Sequence, residues 1–395
     1  MARRRPIEPH GLTRLTVAAR LTIPAARYRD RLAGAVAATE RAGLDALLVG
    51  VGSDLRYLTG YEAMPLERLT MLVVRPAEAP RIVVPRLERA AAEAGLRTPV
   101  EIATWEETDD PYRLATAGIP TSGRIAVSDT MLAMHLLGIQ RALGADARYS
   151  LASAALRDLR MVKDSDEIAL LREAAHAADR VVAQIAAGPL VGRTEEDVAN
   201  EVRERLIAEG HETAMFAIVG SGPNSASPHH EASDRVIRAG EPIVLDIGGT
   251  LGGYGSDVTR TVWVTGGDAA NGPDERFRHL FAVLHAAQSA ATAAVRPGVG
   301  CESIDSTART IIDNEGYGEN FFHRTGHGIG LEGHEEPYLV AGNGLPLRAG
   351  MAFSVEPGIY LPGEYGARIE DIVVCGEHGP IVLNDAPREL LVVDG

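Results

Sequence analysis

Apolar residues recur at helical spacing and in short runs along the amino-terminal part of the chain, and the two patterns alternate. The segment from Ala25 to Arg41 predicts a helix, and the apolar run from Ala46 to Val49 predicts a strand. Further apolar runs predict strands at 71–74, 81–84 and 125–127, followed by a helix over 130–142. This alternation predicts a compact α/β amino-terminal domain spanning residues 1–155.

The remaining residues, 156–395, show a different order of elements. Amphipathic helices are predicted from Ser165 to Ala187 and from Thr194 to Glu209, where Asp197 forms a near capping box with Thr194. Two strands, two helices and two final strands follow, at 243–247, 258–264, 274–295, 302–315, 351–360 and 368–375. The charged segment from Arg157 to Asp164 is interpreted as the join between domains. We expect an α+β carboxy-terminal domain with helices packed on a largely antiparallel sheet.

Length and composition are typical of a globular protein with two domains. At 395 residues the chain exceeds the size at which one hydrophobic core keeps growing, and its hydrophobic fraction of 45% is ordinary. The net charge of −15 disfavours nucleic acid and anionic membranes as partners. No apolar stretch is long enough to span a membrane, and the basic amino terminus lacks the apolar segment of a signal peptide. We therefore expect a cytoplasmic protein.

The cysteines and the single lysine narrow the possible chemistry. Cys301 and Cys375 lie far apart with no CxxC spacing, which fits a reducing compartment and argues against thiolate-bound zinc. Both are predicted to be small buried hydrophobic residues. Because Lys163 is the only lysine, catalysis through a Schiff base has almost no candidate residue.

Acidic residues stand where the strand patterns are otherwise apolar. Asp246, Glu356 and Glu370 each lie within or beside a run of aliphatic residues. An unpaired buried carboxylate costs several kcal/mol or takes up a proton, so each acid needs a cation or a strong donor. Since lysine is almost absent, a metal ion is the expected partner. Asp257 adds a fourth acid, because the glycine-rich segment after Asp246 allows two strands and a turn to bring both side chains together.

A histidine between glycines completes the candidate site. His327 lies in the segment Thr325 to Gly330, where glycines allow the backbone to come close to a site. Four carboxylates and one imidazole form an oxygen-rich set that suits Mn²⁺, Co²⁺ or Fe²⁺ and fits a closed structural zinc site poorly. Charge balance favours two divalent ions, which would neutralise the four carboxylates. Mn²⁺ is the first candidate, with Co²⁺, Fe²⁺ and Zn²⁺ as alternatives.

At these residues the sequence resembles the pita-bread metallopeptidases, the family of prolidase, aminopeptidase P and methionine aminopeptidase. The matching stretches run in order through the second domain, at 245–248, 254–257, 325–330, 334–337, 355–360 and 368–371. The first domain, including Asp54 to Tyr61, is similar to the amino-terminal domain of the proline-specific branch and of creatinase. Methionine aminopeptidase usually lacks that domain. The resemblance implies a creatinase-like α/β domain, a pita-bread catalytic domain and a homodimer.

The resemblance also implies a role for each of the five ligands. Asp246 would chelate one metal, and Asp257 and Glu370 would bridge both. His327 and Glu356 would complete the second site. Glu356 would in addition relay a proton from water to the leaving proline nitrogen.

Further residues gain catalytic roles only through the resemblance. His229 and His334 align with family histidines that contact the substrate carbonyl or the tetrahedral intermediate, and His323 aligns with another pocket histidine. His230 matches no such role and is interpreted as solvated. Arg368 lies two residues before Glu370 on one strand face, where it would either hold a substrate carboxylate or brace the metal ligands.

Two other positions bear on the pocket. Tyr254, three residues before Asp257, is similarly placed in sites of the family, whereas an aromatic residue in a hairpin is more often a packing residue, and both interpretations stay open. Gly333 stands before His334 where many relatives have a branched apolar residue, a difference that would reshape the wall of a subsite.

The expected function is hydrolysis of the bond that precedes proline, in Xaa-Pro dipeptides or at the amino end of longer peptides. One alternative is a hydrolase or lyase of the same fold that acts on a small non-peptide molecule, as creatinase does. Another is a non-enzymatic scaffold. Metal-free relatives and scaffolds lose several of the acids, and the intact set of five ligands counts against both, whereas metal-dependent non-peptidases stay open.

Overall fold

A computed structural model describes residues 21–395 of the chain. The amino-terminal residues that we interpreted as lacking a signal peptide lie outside the described range. The elements of the amino-terminal domain are α1 (Ala25–Arg41), β1 (Ala46–Gly50), α2 (Ser53–Thr59), β2 (Met71–Val74), β3 (Arg81–Pro85), α3 (Arg89–Gly95), β4 (Glu101–Trp105), α4 (Pro111–Thr116), β5 (Arg124–Val127), α5 (Ala133–Leu143), β6 (Arg148–Leu151) and α6 (Ser153–Met161).

The amino-terminal domain is built on a mixed sheet of six strands in the order β4-β3-β2-β1-β5-β6. Its central strand β1 is antiparallel to β2 and parallel to β5. Successive residues of β1 point to opposite faces, so Leu47 and Val49 join one hydrophobic core while Ala46 and Leu48 join the other. Both faces are covered by helices, which explains the continuous apolar runs. The predicted α/β domain is confirmed.

The carboxy-terminal domain consists of four long helices and several antiparallel strands. Its elements are α7 (Ser165–Ala186), α8 (Glu195–Ala208), β7 (Thr213–Ser221), β8 (Glu241–Leu251), β9 (Tyr254–Val264), α9 (Glu275–Ala294), α10 (Cys301–Asn314), β10 (Gly326–Gly328), β11 (Glu335–Leu339), β12 (Ala352–Val355), β13 (Gly358–Leu361), β14 (Tyr365–Arg368), β15 (Asp371–Cys375), β16 (Pro380–Val382) and β17 (Leu391–Val393). The expected order of helices and strands is confirmed.

Two sheets form the framework of this domain. One has the order β17-β9-β8-β7 and the other the order β11-β10-β12-β15-β16, with β13 and β14 as a separate hairpin. The pairs are antiparallel except for β17 and β9, as predicted. Helices α7 and α8 begin with capping boxes, and the one between Thr194 and Asp197 is that predicted from the sequence.

Three sequence predictions differ from the structure in detail. The strand predicted at 351–360 is interrupted at Glu356-Pro357, because proline cannot donate to a strand ladder. The strand predicted at 368–375 is likewise two pieces, β14 and β15. The charged segment from Arg157 was interpreted as a join, but Arg157 to Met161 continue helix α6. The proposed boundary between residues 155 and 156 falls inside that helix, and the division stays a prediction.

Two expectations drawn from composition can be compared with the structure. Cys301 and Cys375 are both buried and unbonded to each other, which confirms their interpretation as small hydrophobic residues. Among the helices of residues 21–395, none combines the length and apolar character needed to cross a membrane.

Candidate active site

The hairpin of β8 and β9 brings two acidic side chains to the same face of its sheet. A turn at Gly252–Gly253 joins the strands, with φ angles of 59° and 85° that glycine adopts without steric cost. In the resulting register Asp246 lies opposite Thr259, and Gly248 lies opposite Asp257. Because residues two positions apart point to the same face of a strand, Asp246 and Asp257 are diagonal neighbours.

Glu370 reaches the same place from the neighbouring strands. Its backbone forms an isolated β-bridge with Thr259, and its Oε2 accepts a hydrogen bond from the Thr259 hydroxyl at 2.7 Å. The buried guanidinium of Arg260 donates to the Glu370 carbonyl at 2.6 Å and to Asp371 Oδ1 at 2.7 Å. These bonds join the two larger sheets and hold Glu370 against β9.

His327 lies on the short strand β10, where neighbouring backbones leave no room for other side chains. A Cβ added at Gly326 or Gly328 would come within 1.9 Å or 2.2 Å of a carbonyl oxygen on an adjacent strand. His327 Nδ1 donates to the Gly328 carbonyl at 3.1 Å, so Nε2 carries the lone pair. That atom faces Glu356 Oε1 at 3.3 Å and Asp257 Oδ2 at 3.6 Å.

Burial favours the uncharged forms of the ionisable groups in the cluster, because it raises the pKa values of the carboxyl groups and lowers that of the imidazole. Burial and the nearby Asp246 raise the pKa of Asp257 well above its ordinary value, and burial and Asp257 do the same for the pKa of Glu370. Burial also raises the pKa of Glu356 to about 7 and lowers the pKa of His327 to about 3. A cluster of this kind is costly unless cations are placed among the carboxylates.

The donor atoms of the cluster fit divalent cations. Ligand atoms of Asp257, His327 and Glu370 lie within 4.8 Å of one another. Asp246 Oδ1 is buried and has no hydrogen-bond partner among the described residues, and such an orphaned acceptor requires a cation or a donor. All of them, with Glu356, line one cavity of about 270 Å³. Carboxylate oxygens and a neutral imidazole suit Mn²⁺, Fe²⁺ or Co²⁺.

Arg368 is fully engaged by other protein groups. Its side chain is 2% exposed, and Nη2 donates to Asp246 Oδ2 at 2.5 Å and to the Pro228 carbonyl at 3.2 Å. Nη1 donates to the Tyr360 hydroxyl at 2.7 Å, and Nε donates to Thr259 Oγ1 at 3.2 Å. Of the two interpretations left open by the sequence, this geometry supports bracing of the candidate metal ligands, because no edge of the guanidinium is free for a substrate.

His323 lines the cavity with both ring nitrogens in use. Nδ1 donates to the Arg324 carbonyl at 2.8 Å, and Nε2 accepts from the Tyr360 hydroxyl at 3.0 Å. Burial lowers the pKa of His323 to about 4, so the ring is neutral at physiological pH. The structure therefore places His323 as a support for Tyr360 and, through it, for Arg368.

His229 and His334 stand at the mouth of the cavity with exposed side chains. The His334 ring centroid lies 3.9 Å from that of His327. Desolvation in the cavity, reinforced by the positive charge of Arg324, lowers the pKa of His334. His229 follows Pro228 on the loop between β7 and β8. Both rings are open to polar atoms of a substrate, unlike that of His323.

The interpretation of His230 as a solvated residue is wrong. Its Nε2 lies 2.7 Å from Glu195 Oε2, and the side chains of His230 and Glu195 are 16% and 0% exposed. The carboxylate also accepts hydrogen bonds from three polar residues at or beyond the end of β7: Ser221, Asn224 and Ser233. Because 35 positions separate the partners, no local spacing indicates the contact.

Two further residues clarify the extent of the site. Of the two interpretations of Tyr254, the structure supports packing, since the residue is 1% exposed and its hydroxyl donates to Glu167 at 3.0 Å. Arg324 lines the cavity and was missed, although a charged residue directly after His323 was a visible signal.

Comparisons with known proteins cover both halves of the chain. Residues 169–377 match metallopeptidase family M24, and residues 31–162 match the creatinase/prolidase N-terminal domain. The chain is 50% identical over 376 residues to "Probable dipeptidase PepE" of Mycobacterium tuberculosis, which covers 93% of this chain and 96% of that protein.

More distant and structural relatives agree with these matches. The chain is 32% identical over 353 residues to the Xaa-Pro dipeptidase of Pyrococcus horikoshii, covering 89% of this chain and 96% of that protein. The crystal structure of dipeptidase PepE from Mycobacterium ulcerans aligns with a TM-score of 0.86 at 48% identity, covering 94% of this chain and 99% of that one. The chain therefore belongs to metallopeptidase family M24, with a creatinase/prolidase amino-terminal domain ahead of the pita-bread catalytic domain.

Proposed function

We propose that this metallopeptidase hydrolyses the peptide bond preceding proline and uses two divalent metal ions, with Mn²⁺ as the first candidate. The observation that carries the proposal is the convergence of four buried or half-buried carboxylates and the His327 lone pair on one cavity, with Asp246 Oδ1 orphaned. The relative named Xaa-Pro dipeptidase, at 32% identity, supports the substrate class.

The five ligands are assigned to the two metal ions as the family resemblance implies. Asp246 would chelate one ion, Asp257 and Glu370 would bridge both, and His327 and Glu356 would complete the second site. Divalent cations in such a site supply Lewis acidity and make a nucleophile available at neutral pH.

The remaining residues handle the substrate and the protons. Glu356 borders both the His327 imidazole and the cavity, so its carboxylate can carry a proton from water to the leaving proline nitrogen. His229 and His334 can donate to the carbonyl oxygen as negative charge develops on it. Phe216 and Ile218 line the same cavity and offer an apolar surface for the proline ring.

We also propose a cytoplasmic homodimer. The family resemblance supports dimerisation, and the two buried free cysteines fit a reducing compartment. Size-exclusion chromatography with light scattering would measure the mass, and a monomer at micromolar concentration would contradict the dimer.

A side-by-side assay with defined metals tests the function. Protein stripped with a chelator and reloaded with Mn²⁺ is given Ala-Pro, Ala-Pro-Ala, Ala-Ala and creatine. We expect cleavage before proline, slow turnover of Ala-Ala, none of creatine, and two Mn²⁺ per chain by elemental analysis. Hydrolysis of neither proline peptide with Mn²⁺, Co²⁺, Fe²⁺ or Zn²⁺ would overturn the proposed substrate, and one metal per chain at saturation would overturn the dinuclear site.

A further inference from the structure

Arg324 is a cation on the cavity wall that has no carboxylate partner among residues 21–395. It is half-buried and lines the cavity with His334 and Glu356. Its guanidinium carbon lies 4.5 Å from the centre of the Tyr338 ring, and Nη2 lies 3.5 Å from His334 Nδ1. Neither contact neutralises the positive charge, so its N–H groups remain available to an anion.

The other arginine of this cavity cannot serve the same purpose. Arg368 directs its donors at Asp246, Tyr360 and two further oxygens and is 2% exposed. Its positive charge is already paired with the carboxylate of Asp246, one of the proposed metal ligands. An anionic substrate group entering the cavity would therefore meet one uncommitted guanidinium, that of Arg324.

The backbone on both sides of Arg324 is firmly held. Arg309 Nη2 donates to the His323 carbonyl at 2.9 Å, and the buried Asp305 accepts from the Thr325 amide and hydroxyl at 3.1 Å and 2.8 Å. The Tyr338 ring supports one face of the guanidinium. A side chain placed in this way loses little additional freedom when it binds a ligand, which favours affinity.

The spacing from Arg324 to the metal ligands suits a short substrate. His334 lies between them, 3.5 Å from the guanidinium and 3.9 Å, ring to ring, from His327. In an Xaa-Pro dipeptide the carboxylate carbon is three bonds beyond the scissile carbonyl carbon, roughly 3 to 4 Å away. The cavity of about 270 Å³ is also small for a ligand site.

We infer that Arg324 binds the terminal carboxylate of an Xaa-Pro dipeptide through its planar fork and so makes this enzyme a dipeptidase. The inference rests on the proposed function and names its substrate class. In a longer peptide the carboxylate is replaced by a neutral amide, which offers one acceptor and no charge. Arg324 therefore selects substrates that end at proline.

The test compares Ala-Pro with its carboxamide, Ala-Pro-NH2, using Mn²⁺-loaded protein. We expect wild type to favour Ala-Pro, and Arg324→Met to lower the ratio of the two kcat/KM values by about 30-fold, mainly through KM for Ala-Pro. Arg324→Lys, which keeps the charge but not the fork, should give an intermediate ratio. Arg86→Met is the matched control, since Arg86 is 71% exposed in the amino-terminal domain, and it should leave the ratio unchanged.

A binding measurement separates this inference from the proposed function. Titration calorimetry with L-proline and L-prolinamide requires no turnover, and Arg324→Met should weaken L-proline binding by at least about tenfold. Equal loss of both dipeptide substrates in Arg324→Met, or unchanged L-proline binding, would overturn the role of Arg324 while Xaa-Pro hydrolysis stands. Hydrolysis of no Xaa-Pro substrate would overturn the proposed function, and the calorimetry would still decide whether Arg324 is a carboxylate site.

Discussion

Two walls of the cavity are built in different ways. The strand wall carries Asp246, Asp257 and Glu370, which are 7%, 5% and 1% exposed and lie on or beside paired strands. The loop wall carries His229, His334 and Arg324, which lie outside regular strands and are exposed or half-buried. Strand pairing positions the first set, whereas hydrogen bonds with Glu195, Asp305 and Arg309 hold the segments next to His229 and Arg324.

This difference separates two tasks. A metal cluster requires ligands held in a fixed arrangement and shielded from water, and paired strands provide both. Substrate selection requires donors that reach into the cavity mouth, and loops can vary without disturbing the metal ligands. Arg368 joins the walls, because it binds Asp246 on one side and the Pro228 carbonyl, next to His229, on the other.

The largest effect is expected from Asp257→Asn on the strand wall. A neutral amide is a poor bridging ligand, so turnover of Ala-Pro should fall by about 10³-fold or more. The fold should persist, and in chelator the variant should melt at or above the wild-type temperature, because one of several mutually repelling buried carboxylates is gone. Thermal melts with and without Mn²⁺ would measure this, with the exposed Asp158→Asn as control. Near-normal turnover would contradict the bridging role.

The next largest effect is expected at the junction of the walls. Arg368→Met leaves Asp246 without its buried partner, which should cost about 3 to 5 kcal/mol in the free energy of unfolding of metal-free protein. Urea denaturation would measure the loss. Arg388→Met is the matched control, because its partner Asp371 keeps Arg260, and its cost should be clearly smaller. Similar costs for both variants would show that Arg368 does not connect the walls in the way described.

The acidic residues of the strand wall could be predicted from the sequence because they interrupt the apolar pattern of buried strands. An acid such as Asp246 inside an aliphatic run has no structural explanation without a cation, and the glycines after it indicate a tight hairpin. The same logic located Glu370 beside β15. Long helices and buried strands have strong patterns, so elements such as α7, α9 and β2 were predicted within a few residues, whereas short elements such as β10 and β16 were not predicted.

The loop wall could not be predicted in the same way. His229 and His334 carry no pattern of their own and were placed through family resemblance alone. The contact of His230 with Glu195 spans 35 positions. The role proposed for Arg324 depends on its contacts with Tyr338 and His334, which the sequence does not show. Helix α6 was missed for a related reason, since its charged residues form contacts with distant parts of the chain, such as that of Arg160 with Asp54.

A moderate effect is expected from Glu195→Gln, which tests how the loop wall is held. Glu195 anchors the segment that carries His229, so the isosteric change should lower kcat/KM for Ala-Pro by about tenfold through misplacement of that ring. Metal content should not change. In a His229→Ala background the same substitution should have less than about a twofold further effect, because its target is already absent. Equal losses in both backgrounds would show that Glu195 acts elsewhere.

The smallest effect is expected from Gly333→Val, at the position where the sequence departs from many relatives. An added Cβ would lie 3.3 Å from the terminal methyl of Met215, a flexible side chain that is 49% exposed and can move away. We expect kcat/KM for Ala-Pro to change by no more than about threefold, and to recover in Gly333→Val with Met215→Ala. The contradicting result would be a loss of kcat/KM above tenfold that the Met215→Ala substitution does not restore. The backbone before His334 would then be as tightly constrained as β8 and β9, and the contrast between the two walls would not hold at that residue.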